Sequence, residues 1–481
     1  MKLDNEYDVI VAGAGVAGTL AAAAAAKGGA NVLLIDKNSV EEPGKKTNWG
    51  WTCGDAVAKS HLDFINKKIG VSFSEPELDH KVDGVYAISP DLKKKFLFEG
   101  EGYSLDRPKF ARKLLAIAQK AGAKYVSDHF VDGPILEDNK VVGVYGRNTE
   151  NNAYQVRAKI VIDALGISSM LRRKLPENPY VDREISHDDI ETTGRYIADF
   201  EVGNDDLAYY DPKNALIHLN QEMSPGGYCW IFPRARNKIN IGLGVEKKSL
   251  DIRNKKMSKT DTLHSLIDKY IEWNPAVKNM KIYDEDKNGK GYWSVPVRRQ
   301  LDSLVYYGYM GAGDSMAMPN PISAGGIGPA MVGGLLAGEV AAKAVQEKDI
   351  SLGSLWRYNT EYNREYGNKT AGLEVFRVYL QSLNNDQINY GMHHFLTDKE
   401  AVDISYGLVP ELSLGQTFNK ILHGVANINA FKNLIFVVRR MKELNALYAA
   451  YPKSPAEFMP WKEKVGSSMH EVKERFKPNP I

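Results

Sequence analysis

The chain has 481 residues, 43% of them hydrophobic and 25% charged, and a formal net charge of +2. This composition predicts a globular protein with two or more domains, and the near-neutral charge argues against a nucleic-acid-binding surface. The two cysteines, Cys53 and Cys229, cannot by themselves form a disulfide framework, a zinc site or an iron–sulfur cluster. We therefore expect a reducing, intracellular compartment.

Neither a signal peptide nor a membrane span is expected. The first residues, MKLDNEYD, carry acids where a signal peptide has a basic and then an apolar stretch. Residues 9–26 and 315–338 are uncharged, but glycines cut both runs and prolines also cut the second. A spanning helix is instead a continuous run of large apolar residues. The sequence therefore predicts a cytoplasmic protein.

The first elements along the chain are typical of a dinucleotide-binding domain. Residues 7–12 read as a buried strand, 16–27 as an alanine-rich helix and 31–35 as a second strand, with the turn GAGVAG at Gly13–Gly18. Such glycines let the backbone approach a pyrophosphate at the helix N-terminus, and Asp36 can accept hydrogen bonds from a ribose. We predict an adenine dinucleotide, FAD or NAD. A glycine-rich turn in another kind of βαβ unit is the alternative.

Two segments between residues 100 and 175 extend this pattern. Tyr103–Leu115 contains Pro108, which can open a helix, and Arg107 comes just before it. Ile162–Arg173 reads as a strand, a turn and the start of a helix. Four of its residues are spaced as in the middle motif of flavin hydroxylases: Asp163, Gly166, Ser169 and Arg172.

The segment PGGYCWIFPRAR, residues 225–236, carries aromatic side chains at every second position. These are Tyr228, Trp230 and Phe232. On a strand they share one face, which packs either against a core or against a ligand. Arg234 and Arg236 follow, and they either meet a diphosphate or phospholipid head group or form a solvated hairpin end.

A late segment favours FAD over NAD, because a flavin fold returns to its cofactor far along the chain. Residues 305–310 read as an apolar strand, followed by GAGDS at 311–315 and then by a helix that begins among glycines. Asp314 at the strand end can bind ribityl hydroxyls, and the helix N-terminus can stabilise the anion of reduced flavin. For Gly313 and Asp314 alone, an ordinary turn is the alternative.

These elements, in this order, resemble the FAD-dependent oxidoreductases of the p-hydroxybenzoate hydroxylase type over about residues 5–345. Within that group the chain most specifically resembles the geranylgeranyl reductase family. PGGYCWIFP matches the family signature P-x-x-Y-x-W-x-F-P, and WTCGD at 51–55 resembles its cysteine–glycine segment beside the flavin. PISAGGIGPA at 321–330 resembles its P-x-x-G-G-G-I loop, with Ala324 in place of the first glycine.

The resemblance implies an α/β protein with three parts. A Rossmann-type FAD-binding domain comprises residues 1–75, 100–185 and 295–348, a mostly antiparallel substrate sheet comprises 76–99 and 186–294, and a helical cap comprises 349–481. The implied FAD contacts are Gly13, Gly15, Ala17, Gly18, Asp36, Cys53, Gly54, Arg107, the backbone near Val131, Asp314, Gly326 and Ile327. The implied substrate contacts are Tyr228, Trp230, Phe232 and Pro233.

The resemblance also implies an activity, the reduction of isolated double bonds in polyprenyl chains. The expected substrate is a geranylgeranyl chain of archaeal-type membrane ether lipids, or geranylgeranyl diphosphate. The expected partners are an electron donor such as reduced ferredoxin or NAD(P)H, no nucleic acid, and the inner face of the membrane as a peripheral contact. Leu434–Val438 is either such a membrane contact or part of a core helix.

The chemistry requires a proton donor as well as a hydride, because an isolated alkene has no carbonyl to accept charge. Cys53 and Tyr228 are the candidates that the motifs place near the flavin. His61, eight residues after Cys53, is a further catalytic candidate if the two pair as thiolate and imidazolium. A surface histidine is the alternative.

Two other functions stay open at this level. A flavin-dependent halogenase or monooxygenase shares the cofactor, although Tyr228 and Phe232 replace two positions of the halogenase signature W-x-W-x-I-P. A prenyl-binding escort protein shares the architecture without redox chemistry. Asp284–Lys290 begins like a calcium loop, but Val295 stands where the twelfth-position glutamate belongs. We therefore expect no metal site.

Overall fold

The computed structural model describes residues 6–48, 50–283, 288–405, 407–409 and 428–481. Most of the calcium-like segment, residues 284–287, thus lies outside the described residues. In chain order the strands are β1 (Glu6–Ala12), β2 (Val32–Ile35), β3 (Ala56–Ala58), β4 (Leu78–Ile88), β5 (Lys95–Leu105), β6 (Lys124–Val126), β7 (His129–Glu137), β8 (Lys140–Asn148), β9 (Ala153–Asp163), β10 (Ile190–Val202), β11 (Asn214–His218), β12 (Cys229–Arg234), β13 (Lys238–Glu246), β14 (Val277–Ile282), β15 (Lys290–Pro296), β16 (Val305–Tyr306) and β17 (Tyr309–Gly311).

The helices alternate with the early strands and then dominate the C-terminal part of the chain. They are α1 (Val16–Lys27), α2 (Lys59–Ile69), α3 (Arg107–Lys120), α4 (Met170–Arg173), α5 (Lys247–Met257), α6 (Leu263–Trp273), α7 (Ile327–Gln346), α8 (Leu352–Glu365), α9 (Thr370–Gln381), α10 (Asn385–His394), α11 (Asp398–Ser405), α12 (Ile428–Ala449) and α13 (Phe458–Arg475). In the part of the chain that the structure describes, none of these helices is long and apolar enough to cross a membrane.

The strands form two sheets. The first has the order β16-β17-β9-β1-β2-β6, and the β7–β8 hairpin joins it through β8 and β9. Its central pairs are parallel, so the carboxyl ends of β1, β2 and β9 meet at one edge. Parallel α/β sheets bind ligands at this edge. The predicted first strand, helix and second strand are all present here.

Helices α1 and α7 pack unusually close together against the first sheet. A Cβ atom on Gly334 would lie 2.1 Å from the carbonyl oxygen of Ala17, and one on Gly338 would lie 2.2 Å from that of Ala21. The alanines of α1 and these glycines of α7 therefore let the two backbones touch. The contact fixes the N-termini of both helices, which face the carboxyl edge of the sheet.

The second sheet has the order β14-β10-β13-β12-β11-β4-β5-β3, with β15 beside β10. Its pairs are antiparallel except for β11 and β4. Helix α6 covers one face, where Ile267 and Tyr270 pack in a core with Ile231 and Leu243 of the central strands. The other face is directed towards the edge of the first sheet, and the site lies between them.

Two local predictions differ from the structure. The apolar segment 305–310 is not one strand but the hairpin of β16 and β17, because Gly308 turns the chain with φ of +70°. A side chain there would also collide with the carbonyl oxygen of Val141, 2.0 Å from an ideal Cβ. Arg107 is the first residue of α3 rather than the residue before it, since Asp106 caps the helix.

Candidate active site

A single cavity of about 900 Å³ runs between the two sheets and under the C-terminal helices. Its volume is near the upper end for small-molecule pockets, about 300–1,000 Å³. The lining includes most of the predicted FAD contacts, namely Gly13, Gly15, Ala17, Asp36, Cys53, Gly54, Arg107, Val131, Asp314, Gly326 and Ile327. It also includes Tyr228, Trp230 and Phe232, whereas Gly18, Pro233 and His61 lie outside the lining.

The three glycines of the first turn have different roles. Gly13 has φ of +98°, and a Cβ there would lie 2.5 Å from the carbonyl oxygen of Ala164. Gly18 is needed for packing, because its Cβ would lie 1.8 Å from the Gly13 carbonyl oxygen. At Gly15, in contrast, a Cβ would meet nothing within 4 Å. The backbone is therefore open to the cavity at Gly15, beside the N-terminus of α1, as a bound pyrophosphate requires.

Asp36 lies at the carboxyl end of β2 with 5% of its surface exposed. Its carboxylate accepts hydrogen bonds from the backbone N–H of Ala14 at 2.6 Å and from the backbone and side-chain N–H groups of Asn38 at 2.8 and 2.7 Å. Burial raises the pKa of Asp36, and these donors oppose that rise. A carboxylate has about four acceptor positions, so one remains for a ribose hydroxyl.

Asp314 lies where the chain returns to the first sheet, after Gly313 with φ of +75°. Its Oδ2 atom is 3.7 Å from Lys46 Nζ. Its Oδ1 atom is 3.4 Å from the position that a Cβ on Gly326 would take, so the carboxylate adjoins the N-terminus of α7. Ala324, which replaces a glycine of the family loop, has φ of +51°, in the left-handed region that favours glycine.

The segment around Cys53 is tied to the second sheet through its backbone. The Cys53 carbonyl oxygen accepts hydrogen bonds from Arg195 Nε at 3.2 Å and Asn240 Nδ2 at 2.9 Å. Gly54 passes beneath Phe232, whose ring is 3.0 Å from an ideal Cβ on the glycine. Cys53 itself is half-buried. The segment is thus held in a fixed place while the cysteine still lines the cavity.

The aromatic side chains form one wall of the cavity. Ring centroids are 6.1 Å apart between Tyr228 and Trp230 and 6.2 Å apart between Trp230 and Phe232. Tyr228 precedes β12 and donates its hydroxyl hydrogen to the Ser323 carbonyl oxygen. The intervening Ile231 packs on the opposite face, in the core under α6. Both faces of this strand are therefore buried, and the aromatic one faces the cavity.

The residues that follow this wall depart from the sequence predictions. Pro233 lies inside β12, paired with Ile239, and its alternation with Phe232 directs it away from the cavity. Arg234 is buried, with its guanidinium 3.4 Å from Asp55 and 3.1 Å from Asp79. These two carboxylates, and not a head group, pair with its charge. Arg236 is exposed with φ of +60°. It forms the solvated hairpin end that was the alternative.

The polar atoms of the cavity fit a charged, hydrogen-bonding cofactor. Buried Arg107 is 3.6 Å from the Asp55 carboxylate, yet its Nε and Nη1 atoms have no hydrogen-bond partner among the described residues. The same holds within the described chain for Trp293 Nε1 and Thr52 Oγ1, which also belong to lining residues. Buried donors are seldom left without acceptors. Together with the open backbone at Gly15, they suit the phosphates and ring edges of a flavin dinucleotide.

Known proteins share both halves of this site. Residues 8–173 match the family model for FAD dependent oxidoreductases, and residues 189–284 match that of the geranylgeranyl reductase catalytic domain. A digeranylgeranylglycerophospholipid reductase of Sulfolobus acidocaldarius is 32% identical over 97% of this chain and 98% of its own length. The chain belongs to the geranylgeranyl reductase family. This reductase is therefore an FAD-dependent oxidoreductase, as the sequence predicted.

Other similar proteins include a further reductase, a reductase-like structure and a halogenase. A digeranylgeranylglycerophospholipid reductase of Methanosarcina acetivorans is 34% identical over 74% of this chain and 82% of its own length. The solved structure of a geranylgeranyl bacteriochlorophyll reductase-like protein of Thermoplasma acidophilum matches with a TM-score of 0.70 and 25% identity, over 90% of this chain and 99% of that one. A myxobacterial FAD-dependent halogenase matches at 15% identity and a TM-score of 0.63. The halogenase likeness is one of fold.

The C-terminal helices give the reductase an apolar extension of the cavity. Side chains of α9 to α12 and of their connections line it: Phe376, Tyr379, Leu380, Leu383, Ile388, Met392, Phe395, Leu396, Ala401, Ile404 and Leu434. The sequence predicted a cap but could not identify these residues. Leu434 is in α12, where Val437 is fully buried and Ile435 is 48% exposed. The segment 434–438 is thus part of a helix with one side in the core.

His61 does not pair with Cys53 in the reductase. It lies in the first turn of α2, and its ring packs against Gly328, where a Cβ would be 2.4 Å from the ring. Tyr366 is on another side, with 6.1 Å between ring centroids. Burial lowers the pKa of His61 to about 4, so the ring is neutral at pH 7. A thiolate–imidazolium pair needs a charged ring, and the predicted pairing therefore finds no support.

Sequence reasoning missed two glycines of β13, the first of which lies under the aromatic wall. A Cβ on Gly242 would lie 2.6 Å from the indole of Trp230 and 2.2 Å from the Gly194 carbonyl oxygen. A Cβ on Gly244 would lie 3.0 Å from the carboxylate of buried Glu191. The signal was present in the strand pattern INIGLGVE, because glycine inside a strand marks a close approach.

Proposed function

We propose that the protein saturates isolated double bonds of geranylgeranyl chains, most specifically those of archaeal-type membrane ether lipids. The observation that carries this proposal is the continuity of one cavity from the dinucleotide turn at Gly13–Gly18, past the aromatic wall, to the apolar lining from α9 to α12. A long hydrocarbon chain fits such a lining and brings its alkene to the cofactor end. Relatives named digeranylgeranylglycerophospholipid reductases support the same substrate class.

Reduction of an alkene requires a hydride and a proton from different groups. Bound FAD, when reduced, supplies a hydride to one alkene carbon. The protein must deliver a proton to the other carbon, keep water away and hold the chain in place. Burial raises the pKa of Tyr228, which keeps its proton, but the Ser323 carbonyl accepts that hydrogen. We therefore assign proton delivery to the thiol of Cys53, which lines the same cavity.

The aromatic wall and the apolar lining hold the chain and exclude water. Trp230 and Phe232 expose 6% and 9% of their surfaces, so they are rigid surfaces along which isoprene units can slide. Aromatic rings bury much area at little cost in side-chain entropy. Lipid binding in this position would replace water beside Cys53 with hydrocarbon, and the proton then goes to the alkene rather than to solvent.

We further propose that the enzyme meets its lipid at the inner membrane surface. Helix α12 supports this, since half-exposed Ile435 lies near exposed Lys432 and Arg439 while Leu434 lines the cavity. Exposed apolar and basic side chains together bind anionic lipid surfaces. Ile435→Asp should reduce co-sedimentation with anionic vesicles and leave reduction of detergent-dispersed lipid intact. Equal co-sedimentation of variant and wild type would refute the contact.

The activity is tested with dithionite-reduced protein and digeranylgeranylglycerophospholipid under anaerobic conditions. We expect alkene-dependent flavin reoxidation and, by mass spectrometry, a gain of two hydrogens for each reduced bond. Reduced ferredoxin and NADPH, tested in place of dithionite, identify the electron donor. Parallel incubations with oxygen and halide test the alternative, since halogenated products there would establish a halogenase instead. A protein that binds the lipid without changing its mass would be an escort protein.

A further inference from the structure

One buried amide joins the substrate wall to the cysteine segment. Asn240 lies on β13 with no exposed surface. Its Oδ1 accepts the indole hydrogen of Trp230 at 2.9 Å, and its Nδ2 donates to the Cys53 carbonyl at 2.9 Å and to Asp55 Oδ2 at 3.0 Å. We infer that Asn240 is a positioning residue that sets the place of the Trp230 ring relative to Cys53. This inference rests on the function proposed above.

The hydrogen bonds allow only one orientation of the amide. Trp230 Nε1 is a donor only, while the Cys53 carbonyl and the Asp55 carboxylate are acceptors. Reversing the amide would place two N–H groups against each other and leave the amide oxygen against two acceptors. Both Nδ2 hydrogens and Oδ1 are therefore committed, and the side chain has no freedom to adapt.

The strand register explains how the indole reaches this amide. Trp230 is paired with Gly242 on β13, and Asn240 is paired with Phe232, one position further along the same face. Because Gly242 has no side chain, the indole lies across β13, 2.6 Å from the place a Cβ would take. Its N–H then meets Asn240. A larger residue at 242 would displace the ring and break the connection.

Arg195 of β10 strengthens the cysteine end of this connection. It lies opposite Gly242 in the sheet and donates to the same Cys53 carbonyl at 3.2 Å. The segment that carries the proton donor is therefore held by side chains of two strands of the substrate sheet. The wall that places the alkene and the backbone that places the thiol share one support. A shift of either one changes the distance between the alkene and Cys53.

Trp230→Phe removes the indole hydrogen bond at one end of this connection with little change in shape, and Asn240→Ala removes the amide that joins its two ends. Trp461→Phe and Asn359→Ala are the matched controls, because Trp461 donates its indole hydrogen to the Leu447 carbonyl and buried Asn359 binds the backbone at Leu304. Neither control residue lines the cavity. All four changes remove hydrogen bonds of similar kind, and only two touch the proposed connection.

The first readout is independent of lipid turnover. We measure the alkylation rate of Cys53, with Cys229, which is fully buried, as the internal reference. Trp230→Phe should change that rate by about two- to tenfold, the range given by one lost neutral hydrogen bond. Asn240→Ala removes three hydrogen bonds and should change the rate at least as much. The two controls should not. The double variant should differ little from Asn240→Ala alone, because the bonds act through the same amide.

The second readout is the product mixture from fully unsaturated lipid. Both connection variants should release more partly saturated chains while retaining FAD, and the controls should give the wild-type mixture. Unchanged Cys53 alkylation and an unchanged mixture in folded Trp230→Phe would overturn the inference. If Asn240→Ala fails to fold, Trp230→Phe still decides. A wild type that reduces no lipid refutes the proposed function, whereas the alkylation rates still test the connection.

Discussion

Gly334→Ala tests whether the close contact of α1 with α7 builds the cofactor site. The substitution adds a methyl group whose ideal position is 2.1 Å from the Ala17 carbonyl oxygen, while real Cβ atoms essentially never come within 3.0 Å of such an atom. The obstacle is backbone and cannot rotate away. The two helices must therefore separate by about 1 Å at this contact.

Two opposing effects set the magnitude. Overpacking a core costs about 1–3 kcal/mol, and replacing glycine by alanine inside a helix returns about 1 kcal/mol. The difference is about 0–2 kcal/mol. We expect its upper half, a net loss of about 1–2 kcal/mol in the free energy of unfolding, because the methyl group meets backbone that cannot rotate away. FAD retention should fall as well, since Ala17 lines the cavity and α7 begins there at Ile327.

The assay is the midpoint of thermal unfolding together with the flavin content of the purified protein. Gly466→Ala is the matched control, because it makes the same change inside α13, where a Cβ would meet nothing within 4 Å. The control should be slightly more stable than wild type and fully loaded with FAD. A Gly334→Ala protein as stable and as yellow as the control would refute the reasoning.

Three further substitutions probe the site. Asp314→Ala should weaken FAD retention by about 1.5–3 kcal/mol, the value of a charge-assisted hydrogen bond. Flavin fluorescence measures the release of FAD, and unchanged retention would show that Asp314 does not bind the ribityl chain. Cys53→Ala should keep FAD but slow alkene-dependent reoxidation of the reduced enzyme, and a wild-type rate would leave Cys53 as packing. Burial raises the pKa of Glu191 from 4.5 to about 8. Between these two pH values the Glu191 carboxyl therefore keeps its proton in the folded protein and has lost it in the unfolded protein. The free energy of unfolding consequently falls as the pH rises through this range. Glu191→Gln removes this pH dependence. The free energy of unfolding of the variant relative to wild type should therefore increase with rising pH, by up to about 1.4 kcal/mol per pH unit. Unfolding midpoints at pH 5.5 and 8 check this, with exposed Glu463→Gln as the control; a difference independent of pH would show that Glu191 is charged when folded.

The sequence predicted the dinucleotide turn well because most of its determinants are local. Gly13, Gly15 and Gly18 lie within six residues; Gly18 is required by the neighbouring Gly13 carbonyl, whereas the crowding of Gly13 by Ala164 comes from far along the chain. Asp36 follows from the same short unit. The hairpin of β16 and β17 was missed, since the apolar run conceals a turn at Gly308 that only φ of +70° reveals.

Behind Cys53 lies a buried cluster of Asp55, Arg234 and Asn240. It could not be predicted, because these residues are far apart in the sequence. Arg234 and Asn240 reach Asp55 across separations of 179 and 185 residues. Pattern reading assigned Arg234 to a head group or to solvent, which are the usual environments of a surface arginine. Burying Asp55 without such partners would be costly, so the fold requires cations and an amide here that no local rule specifies.

The aromatic segment shows where local pattern stops being informative. Alternation places Tyr228, Trp230 and Phe232 on one face of a strand, whether that face meets a core or a ligand. The choice is made by neighbours: α6 supplies apolar partners to the face of Ile231, whereas the aromatic face lines the cavity and the indole of Trp230 lies over Gly242. The glycine therefore fixes where the indole lies, and Gly242→Ala should displace the ring of Trp230 and also press on the Gly194 carbonyl oxygen of β10, 2.2 Å from an ideal Cβ.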